Sequence, residues 1–476
     1  TCVRSGSCEL QALAESLGIR EVRFEGAKAH HPVDDSTPSI VRDPDKCILC
    51  RRCVAVCEQV QGVSAINVSG RGFDSVVSPA GELPLNDAAC TLCGQCILVC
   101  PTGALSEVDS TRKVWEALGN PKKHVVVQTA PAIRVALGEE FGLAPGSIVT
   151  GQMVAALRAL GFDRVFDTNF TADLTILEEG NELLQRLTTG GTLPMITSCS
   201  PGWIKFIEHF YPDMLGNLST CKSPQQMFGA LAKTYYAEKA GVDPAEMFVV
   251  SIMPCTAKKF ECERPEMRSS GYQDVDAVLT TRELARMLRE AGIDPTALEP
   301  AAYDAPLGIG TGAAVIFGAT GGVMEAALRT VYEVVMKKEL PSLDFREVRG
   351  FEGIKEAEVA LGDTTVRVAV AHTLGNARRL LERVRSGEAS YHFIEIMACP
   401  GGCIGGGGQP IGTNTERRLE RIGAIYQADR DLPLRKSHDN PEVKQLYEEF
   451  LGEPLGPKSH ELLHTHYTAR GIWPKH

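Results

Sequence analysis

Two cysteine runs of the same spacing limit what the first part of this chain is able to form. In each run, two residues separate the first three cysteines and three residues precede the fourth: Cys47, Cys50, Cys53 and Cys57, then Cys90, Cys93, Cys96 and Cys100. Such spacing suits metal binding better than a secreted disulfide framework, which belongs to smaller chains. Paired zinc sites are the alternative. Eight cysteines in this pattern, with Pro101 after the last, favour iron–sulfur clusters.

The repeat resembles the bacterial two-cluster ferredoxins, in which the fourth cysteine of each run binds the other cluster. This resemblance implies two 4Fe–4S clusters, one on Cys47, Cys50, Cys53 and Cys100 and the other on Cys90, Cys93, Cys96 and Cys57. Glu58 follows the first run, where proline is usual. We expect a dicluster ferredoxin domain over residues 41–115 and a catalytic domain over 116–476.

Length and charge narrow the class of protein. A chain of 476 residues is too long for one ordinary core, so two or more domains are expected. The formal net charge of -11 argues against nucleic acid as a partner, because phosphate would be repelled. The apolar runs fall short of a membrane span. Sixteen cysteines, many at metal-binding spacings, indicate a reducing, cytoplasmic environment.

The first residues hold a separate pair of cysteines. The chain opens at Thr1, without an initiator methionine, and Cys2 and Cys8 follow with five residues between them. This spacing resembles the end of a further cluster motif, in which a histidine and another cysteine lie upstream. We therefore expect residues 1–40 to be the remnant of an N-terminal 4Fe–4S segment followed by a linker.

Beyond residue 120 the pattern changes to alternating strands and helices. Strand-like runs fall at 124–128, 164–167, 195–197, 248–252, 365–371 and 392–397. Helical patterns fall at 149–160, 173–188, 281–291 and 322–337. This alternation predicts α/β layers with functional sites at the ends of strands.

Three cysteine-bearing loops are dispersed over this second region. They read Thr197-Ser-Cys199-Ser-Pro-Gly-Trp203, Met253-Pro-Cys255-Thr-Ala-Lys258-Lys-Phe-Glu261, and Glu395-Ile-Met-Ala-Cys399-Pro-Gly-Gly-Cys403. The last continues as Ile404-Gly-Gly-Gly-Gly-Gln-Pro410, and glycines let a backbone approach a bulky group closely because they carry no Cβ. The three loops indicate a buried cluster held by a large domain.

Together the loops resemble the signature motifs of the iron-only (FeFe) hydrogenases, in the same order and with suitable separations. The resemblance extends over essentially the whole chain. It implies a multidomain α+β and α/β fold, with a two-lobed α/β catalytic domain behind the ferredoxin module. It also implies an H-cluster, which is a 4Fe–4S cubane joined through one cysteine sulfur to a two-iron unit with CO, cyanide and a dithiolate. The implied reaction is 2H+ + 2e− ⇌ H2.

The resemblance also implies roles for single residues. Cys255 and Cys399 correspond to cubane ligands, and Cys403 to the ligand whose sulfur bridges to the two-iron unit. Lys258 corresponds to a lysine that binds a cyanide, for which its charge and three donors are suited. The remaining pocket contacts implied are Ala130, Pro131, Ala132, Gln225, Met253, Phe317 and Met397. Without the motifs, a methionine or phenylalanine here would be read as ordinary core.

A route for protons is implied in the same way. It runs through Cys199, Glu179, Ser219, Glu182 and Arg186. Glu179, Glu182 and Arg186 are spaced i, i+3 and i+7, which places them on one face of a helix. Without the cysteine loops, a surface salt-bridge face would be the preferred interpretation.

One departure leaves the fourth cubane ligand open. The family has two adjacent cysteines before Pro-Gly-Trp, whereas this chain has Cys199 followed by Ser200. Motif position favours proton relay for Cys199, and thiolate chemistry favours a ligand role for it. Ser200 could bind as an alkoxide, although a hydroxyl is harder to deprotonate than a thiol. The additional Cys221 could serve in the relay.

The favoured function is therefore a hydrogenase, and two alternatives stay open: a hydrogen sensor of low activity, and a non-catalytic iron–sulfur assembly protein. The layout also resembles the hydrogen-converting subunit of NAD-linked, electron-bifurcating enzymes. Expected partners are a ferredoxin, or NADH-oxidising flavin and iron–sulfur subunits, and maturation proteins. Gly308-Ile-Gly310-Thr-Gly312 lies in a loop and is no convincing dinucleotide fingerprint, so any NAD or flavin would sit on another subunit.

Overall fold

The computed structural model describes residues 2, 4–6, 8–361 and 364–472. Its first part contains the helices and strands α1 (Glu9–Ser16), α2 (Arg52–Ala55), α3 (Gln95–Val99), β1 (Ile40–Arg42), β2 (Asn67–Ser69), β3 (Val76–Ser78) and β4 (Leu105–Glu107). Strand β1 pairs antiparallel with β4, and β2 with β3. Each cysteine run enters its helix through a left-handed residue, Arg51 before α2 (φ 61) and Gly94 before α3 (φ 68). The sequence repeat is thus also a structural repeat.

The second part is built on two sheets among the described residues. Their strands are β5 (His124–Thr129), β6 (Arg164–Asp167), β7 (Met195–Ile196), β8 (Met247–Met253), β9 (Ala277–Thr280), β10 (Ile354–Leu361), β11 (Thr364–His372) and β12 (Phe393–Met397). The first sheet has the order β6-β5-β8-β9 and is parallel throughout. The second has the order β10-β11-β12-β7, and there only β10 runs antiparallel to its neighbour.

Helices cover these sheets. They are α4 (Thr111–Leu118), α5 (Thr150–Ala159), α6 (Thr168–Thr189), α7 (Pro201–Phe210), α8 (Pro224–Leu231), α9 (Ala237–Ala240), α10 (Ala257–Cys262), α11 (Thr281–Glu290), α12 (Gly312–Val315), α13 (Gly322–Met336), α14 (Leu374–Arg385), α15 (Thr415–Asp431), α16 (Pro441–Leu446) and α17 (Pro457–Leu463). Buried strands of the first sheet, such as Val125–Val127 in β5, are apolar on both faces, as parallel strands covered on both sides require.

Helix α6 lies at the centre of the domain, against α8 and α13. It begins at Thr168, five residues before the helix expected from the sequence, because the Asp167 side chain caps it by accepting a hydrogen bond from the Asn169 N–H. It ends at Gly190, whose φ of 76 closes the last turn. Most of its residues are buried, including the acidic ones.

Loops after β5 and β8 of the first sheet meet loops after β7 and β12 of the second. The carboxyl ends of strands are the usual binding edge of parallel sheets, so the expected α/β fold with sites at strand ends is confirmed. No helix in the described ranges has the length and apolar character needed to cross a bilayer. The fold therefore brings the cysteine loops together between the two sheets.

Candidate active site

The loops between the sheets line a cavity. The residues of the cysteine loops that line it include Cys199, Ser200, Cys255, Cys399 and Cys403. The expected pocket contacts that line it are Ala130, Pro131, Gln225, Met253, Lys258, Phe317 and Met397. Segments far apart in the sequence thus contribute to one cavity.

Ala132 is the one expected pocket contact that does not line the cavity. The chain turns at this point, since the Ile133 N–H donates to the Ala130 carbonyl oxygen at 3.1 Å. Ala132 is fully buried behind the wall, and its carbonyl oxygen accepts a hydrogen bond from Gln409 Nε2 at 3.3 Å. That Ala132 contacts a bound group stays a prediction, and the residue is joined to the wall through its backbone.

Three thiols, those of Cys255, Cys399 and Cys403, form a buried group. Burial raises the pKa of the Cys399 thiol far above its ordinary value, and Cys255 and Cys403 raise it further. Burial, followed by Cys255, raises the pKa of Cys403 to about 12. Metal-binding thiols must lose their protons, and the positive charge of iron favours that loss. The group has the donor chemistry that an iron–sulfur cluster requires.

Cys199 and Ser200 face different neighbours. Burial raises the pKa of the Cys199 thiol far above its usual range, and the nearby Glu179 carboxylate is the next largest cause. Ser200 is the N-cap residue of α7, yet its hydroxyl makes no capping hydrogen bond. Its Oγ instead accepts a hydrogen bond from the Ala398 N–H at 3.3 Å, next to Cys399. The Ser200 hydroxyl therefore lies toward the loop of Cys399, whereas the Cys199 thiol lines the cavity near Glu179 and Cys403.

Cys221 lies outside this cavity. Its backbone forms an antiparallel bridge with His464, and its Sγ is 4.0 Å from Oε2 of Glu182. It is therefore a neighbour of the expected proton route and not of the thiol group. Cys262 is buried, with its Sγ 3.1 Å from the Lys259 carbonyl oxygen.

Lys258 carries the positive charge of the cavity. Its Nζ is 2.8 Å from Oε2 of Glu261 and donates to the Cys199 carbonyl oxygen at 3.2 Å. Glu261 also accepts hydrogen bonds from Ser223 Oγ at 2.9 Å and from Gln225 Nε2 at 3.2 Å. Sequence reasoning gave Glu261 no role, although its position three residues after Lys258 on one helix was a usable signal.

The amide oxygen of Gln225 is buried and has no hydrogen-bond partner among the described groups. A buried polar atom without a partner costs about 1–3 kcal/mol. Gln225 and Lys258 both line the cavity, so a lone acceptor and a cationic donor are available to a bound group. The three thiols and the Lys258 ammonium fit an iron cluster with anionic ligands, and the Gln225 oxygen is available to a group that carries a proton.

Ser219, Glu182 and Arg186 of the expected proton route contact one another, and Glu179 lies close to them. Burial, then the charge of Glu182, raises the pKa of Glu179 to about 8. Ser219 Oγ donates to Oε2 of Glu182 at 3.0 Å, and Arg186 pairs with Oε1 of Glu182 at 2.6 Å. Glu179 and Glu182 are only 2% and 6% exposed, so this helix face is not a surface salt-bridge face.

Glu395 is a second acidic residue to which sequence reasoning gave no role. It lies in the otherwise apolar strand β12 and is fully buried. Its carboxylate oxygens accept hydrogen bonds from the N–H groups of Gly321 and Met324, each at 2.7 Å. The negative charge thus lies at the start of α13, where a helix favours it. A lone charge inside an apolar strand was the available signal.

The cysteine runs of the first part surround two further cavities. One is lined by Cys47, Cys50, Cys53 and Cys100. The other is lined by Cys57, Cys90, Cys93 and Cys96. In both cavities the fourth cysteine comes from the opposite run, which is the grouping that the ferredoxin resemblance implies.

Cys2 and Cys8 lie beside the first of these cavities. Gly103 packs against Cys2 Sγ so closely that a Cβ on the glycine would overlap it. The Glu9 N–H, directly after Cys8, donates to the Pro101 carbonyl oxygen at 3.1 Å. Both thiols are partly exposed. The N-terminal pair therefore borders the ferredoxin-like part.

The second cluster cavity adjoins the thiol cavity. Thr256 Oγ1, next to Cys255, donates to the Leu92 carbonyl oxygen at 2.7 Å. Gln95 Nε2 donates to the Gly405 carbonyl oxygen at 2.9 Å. Cys93 is also among the charges that raise the pKa of Cys399. The two parts of the chain therefore meet where their cysteines lie.

Comparison with known protein families gives three matches. Residues 123–407 match the model described as iron only hydrogenase large subunit, C-terminal domain. Residues 415–470 match the iron hydrogenase small subunit. Residues 37–106 match the ferredoxin-like domain of NADH-quinone oxidoreductase subunit 3.

Similar proteins cover nearly the whole chain. It is 56% identical to the NADP-reducing hydrogenase subunit HndD of Solidesulfovibrio fructosivorans, over 98% of this chain and 81% of that protein. It is 43% identical to iron hydrogenase 1 of Clostridium pasteurianum, over 98% of this chain and 82% of that protein. A solved structure, a variant of the FeFe-hydrogenase HydA1 from Chlamydomonas reinhardtii, aligns with a TM-score of 0.69 at 46% identity, covering 76% of this chain and 100% of that one.

Proposed function

Because this chain belongs to the iron-only hydrogenase family, we propose that the cavity between its two sheets is where protons and electrons combine reversibly to give H2. The catalytic domain holds an H-cluster and the ferredoxin-like module holds 4Fe–4S clusters. When bound, the H-cluster supplies the iron at which hydrogen is made or split. The observation that carries the proposal is the convergence of Cys255, Cys399 and Cys403 on one cavity.

The thiols and the Ser200 hydroxyl would serve two roles, cluster binding and proton transfer. Cys255, Cys399 and Cys403 would hold the H-cluster, with Cys403 as the bridging ligand. The Ser200 hydroxyl, directed to the loop of Cys399 and free of any capping bond, would take the fourth ligand position. Cys199 is then left to transfer protons, which its closeness to Glu179 supports.

Lys258 would position an anionic ligand of the cluster, and the amide oxygen of Gln225 would accept a hydrogen bond from a protonated group beside it. The Lys258 ammonium has three donors, and its ion pair with Glu261 fixes its direction. Glu261 also holds the amide of Gln225, so one carboxylate orients both polar groups. The apolar wall, with Met253, Met397 and others, excludes water from the reacting atoms.

Protons would move between Cys199 and Glu182. With a pKa of about 8, the Glu179 carboxyl holds a proton at neutral pH and is able to release it. Ser219 Oγ, which hydrogen-bonds Glu182, provides a hydroxyl step between the two carboxyl groups. The presence of every member of this route favours turnover over a sensing role.

Electrons would enter through the ferredoxin-like module. Its second cavity, the one lined by Cys93, borders the thiol cavity. The similarity to a subunit of an NADP-reducing hydrogenase supports a role as the hydrogen-converting subunit of a multi-subunit enzyme. A ferredoxin is the simpler donor, and nicotinamide or flavin chemistry would then belong to partner subunits.

The test uses the matured full-length protein and its Cys403→Ala variant. The wild type should show infrared bands of iron-bound CO and cyanide and should evolve H2. The variant should lose both, while the electron paramagnetic resonance signals of the module clusters persist. A matured wild type without these bands would contradict the proposal.

A further inference from the structure

A second series of hydrogen bonds connects Glu182 to residues that are not part of the expected proton route. Thr220 Oγ1 is 3.2 Å from Oε2 of Glu182 and 2.8 Å from Nδ1 of His464. The other ring nitrogen of His464, Nε2, is 3.2 Å from Oε2 of Glu178. Glu178 also accepts a hydrogen bond from the Tyr447 hydroxyl at 2.5 Å. Sequence analysis assigned none of the residues in this line beyond Glu182.

The expected end of the route, Arg186, is poorly suited to exchange protons with water. A guanidinium stays protonated throughout the physiological range. Its Nη2 donates to Glu182 and to the Leu218 carbonyl oxygen, at 2.6 and 2.7 Å. Its Nη1 lies 3.2–3.3 Å from the carbonyl oxygens of Thr192, Gly216 and Asn217. Arg186 therefore closes the surface over Glu182 and fixes that carboxylate in place.

We propose that His464, acting through the Thr220 hydroxyl, exchanges protons between solvent and Glu182, an inference that rests on the hydrogen-converting function proposed above. Imidazole is the side chain whose charge normally changes between pH 5 and 8. His464 is held in register because the Lys222 N–H donates to the Leu463 carbonyl oxygen at 2.8 Å and the Thr465 N–H to that of Thr220 at 2.7 Å. These bonds keep its ring against Thr220.

Solvent lies close to this pair. The His464 side chain is only 5% exposed, but the ring of the exposed His460, one turn earlier on α17, lies 4.5 Å from its ring. Thr220 is itself only partly buried. The pair thus borders an exposed residue, at a depth similar to that of Glu182, whose side chain is 8% exposed.

The groups packed around His464 include a carboxylate that its own hydrogen bonds keep ionised. Burial raises the pKa of Glu178, but hydrogen bonds from His464, Tyr447 and the Leu455 N–H outweigh it and lower that pKa below its ordinary value. Glu178 is therefore an anion beside Nε2. The titratable groups around the ring are Glu178 and Glu182 on α6, Cys221 in the paired loop, Tyr447 after α16, His460 on α17, and Tyr467 near Cys221.

The transfer balances without any further reactant. In the charged ring, Nε2–H donates to ionised Glu178 and Nδ1–H donates to Thr220 Oγ1. The Nδ1 proton passes to the threonine oxygen as the hydroxyl proton passes to Oε2 of Glu182. His464 is then neutral and Glu182 protonated, and water returns a proton to the imidazole. Reversing these steps releases protons during H2 oxidation.

The test compares matched substitutions in the matured holoenzyme. Thr220→Val removes the hydroxyl at nearly constant shape, and His464→Gln removes the titratable ring. Each should slow H2 evolution by about tenfold or more, and each should change the pH profile of the rate to one that reports the Glu179 ionisation alone. Thr220→Ser restores the hydroxyl and should recover most of the rate. His466→Gln, an exposed histidine two residues further along, should leave the profile unchanged.

Two measurements separate this inference from the proposed function. Infrared CO and cyanide bands should be unchanged in Thr220→Val, which would show an intact cluster. Deuterium exchange at the imidazole C2 position, followed by mass spectrometry, should show the wild-type His464 ring changing its protonation state over the pH range in which the turnover rate changes. Normal bands with a wild-type rate profile in Thr220→Val would overturn the inference alone, as would a His464 that does not titrate in that range.

Discussion

Gly407 of the glycine-rich loop packs directly on Cys93 of the ferredoxin-like module, so that a Cβ on Gly407 would overlap the Cys93 carbonyl oxygen. The contact joins backbone to backbone, and no flexible side chain is available to move aside. It holds one cluster cavity of the module against the loop that follows Cys403.

Gly407→Ala should therefore separate the module from the catalytic domain. Overpacking of this kind costs about 1–3 kcal/mol and shifts the backbone. We expect slower reduction of the module clusters by H2, measured by rapid-freeze electron paramagnetic resonance, whereas exchange between H2 and D2O at the active site should be less affected. Gly423→Ala, on α15 where a Cβ meets nothing within 4 Å, is the matched control. Equal rates of cluster reduction in both variants would argue against a role of the Gly407–Cys93 contact in electron transfer.

Glu179→Gln should slow turnover by about a hundredfold, because it removes a proton-carrying group of nearly the same shape. The infrared bands of the cluster should remain. Glu238→Gln, an exposed glutamate, should have no effect on turnover. A Glu179→Gln enzyme with the wild-type rate would remove Glu179 from the route.

The same residue predicts a pH dependence of stability. Burial, with Glu182 and Glu395, raises the pKa of Glu179 from 4.5 to about 8, so the folded protein binds this proton more tightly than the unfolded chain. Its stabilising contribution is complete below pH 4.5 and is lost as the pH rises toward about 8. Glu179→Gln should flatten the curve of denaturation midpoint against pH across this window. If the curve of the variant ran parallel to that of the wild type across this window, the raised pKa of Glu179 would be contradicted.

Ser200 variants should change how firmly the cubane is held. We expect Ser200→Cys to retain the cubane more firmly than wild type, because a thiol ionises more easily than a hydroxyl. Ser200→Ala should lose iron and give a three-iron signal in the oxidised protein. Iron analysis and Mössbauer spectra of protein lacking the two-iron unit report this without any activity measurement. Identical spectra for wild type and Ser200→Ala would exclude Ser200 as a ligand.

Glu261→Gln should destabilise the protein by about 3–5 kcal/mol, because it leaves the buried Lys258 ammonium without its counter-charge. The side chains of Lys258 and Glu261 are 10% and 5% exposed, so solvent screens the pair little. Glu263→Gln, exposed on the next turn, should change the free energy of unfolding by less than about 0.5 kcal/mol. Denaturant midpoints of the two variants give the comparison, and equal midpoints would mean that the pair contributes little.

Much of the site was accessible from the sequence because its ligands lie in short motifs. Cys255 and Lys258 share a single loop and helix start, as do Cys399 and Cys403, so their spacing limits how far apart they lie. The proton-route spacing from Glu179 to Arg186 predicted one helix face correctly, but not that the face is buried. Burial depends on α8 and α13, which come from other parts of the chain.

The cysteine spacings and loop motifs by themselves determined the family and most of the residues that line the cavity, since local geometry follows from neighbours along the chain. Only the tertiary structure decided that Ser200 turns toward the loop of Cys399 while Cys199 lines the cavity near Glu179. It also decided that His464 reaches Thr220 across more than two hundred residues. Such contacts depend on how distant segments pack. A local sequence pattern does not specify which distant residue a side chain will contact.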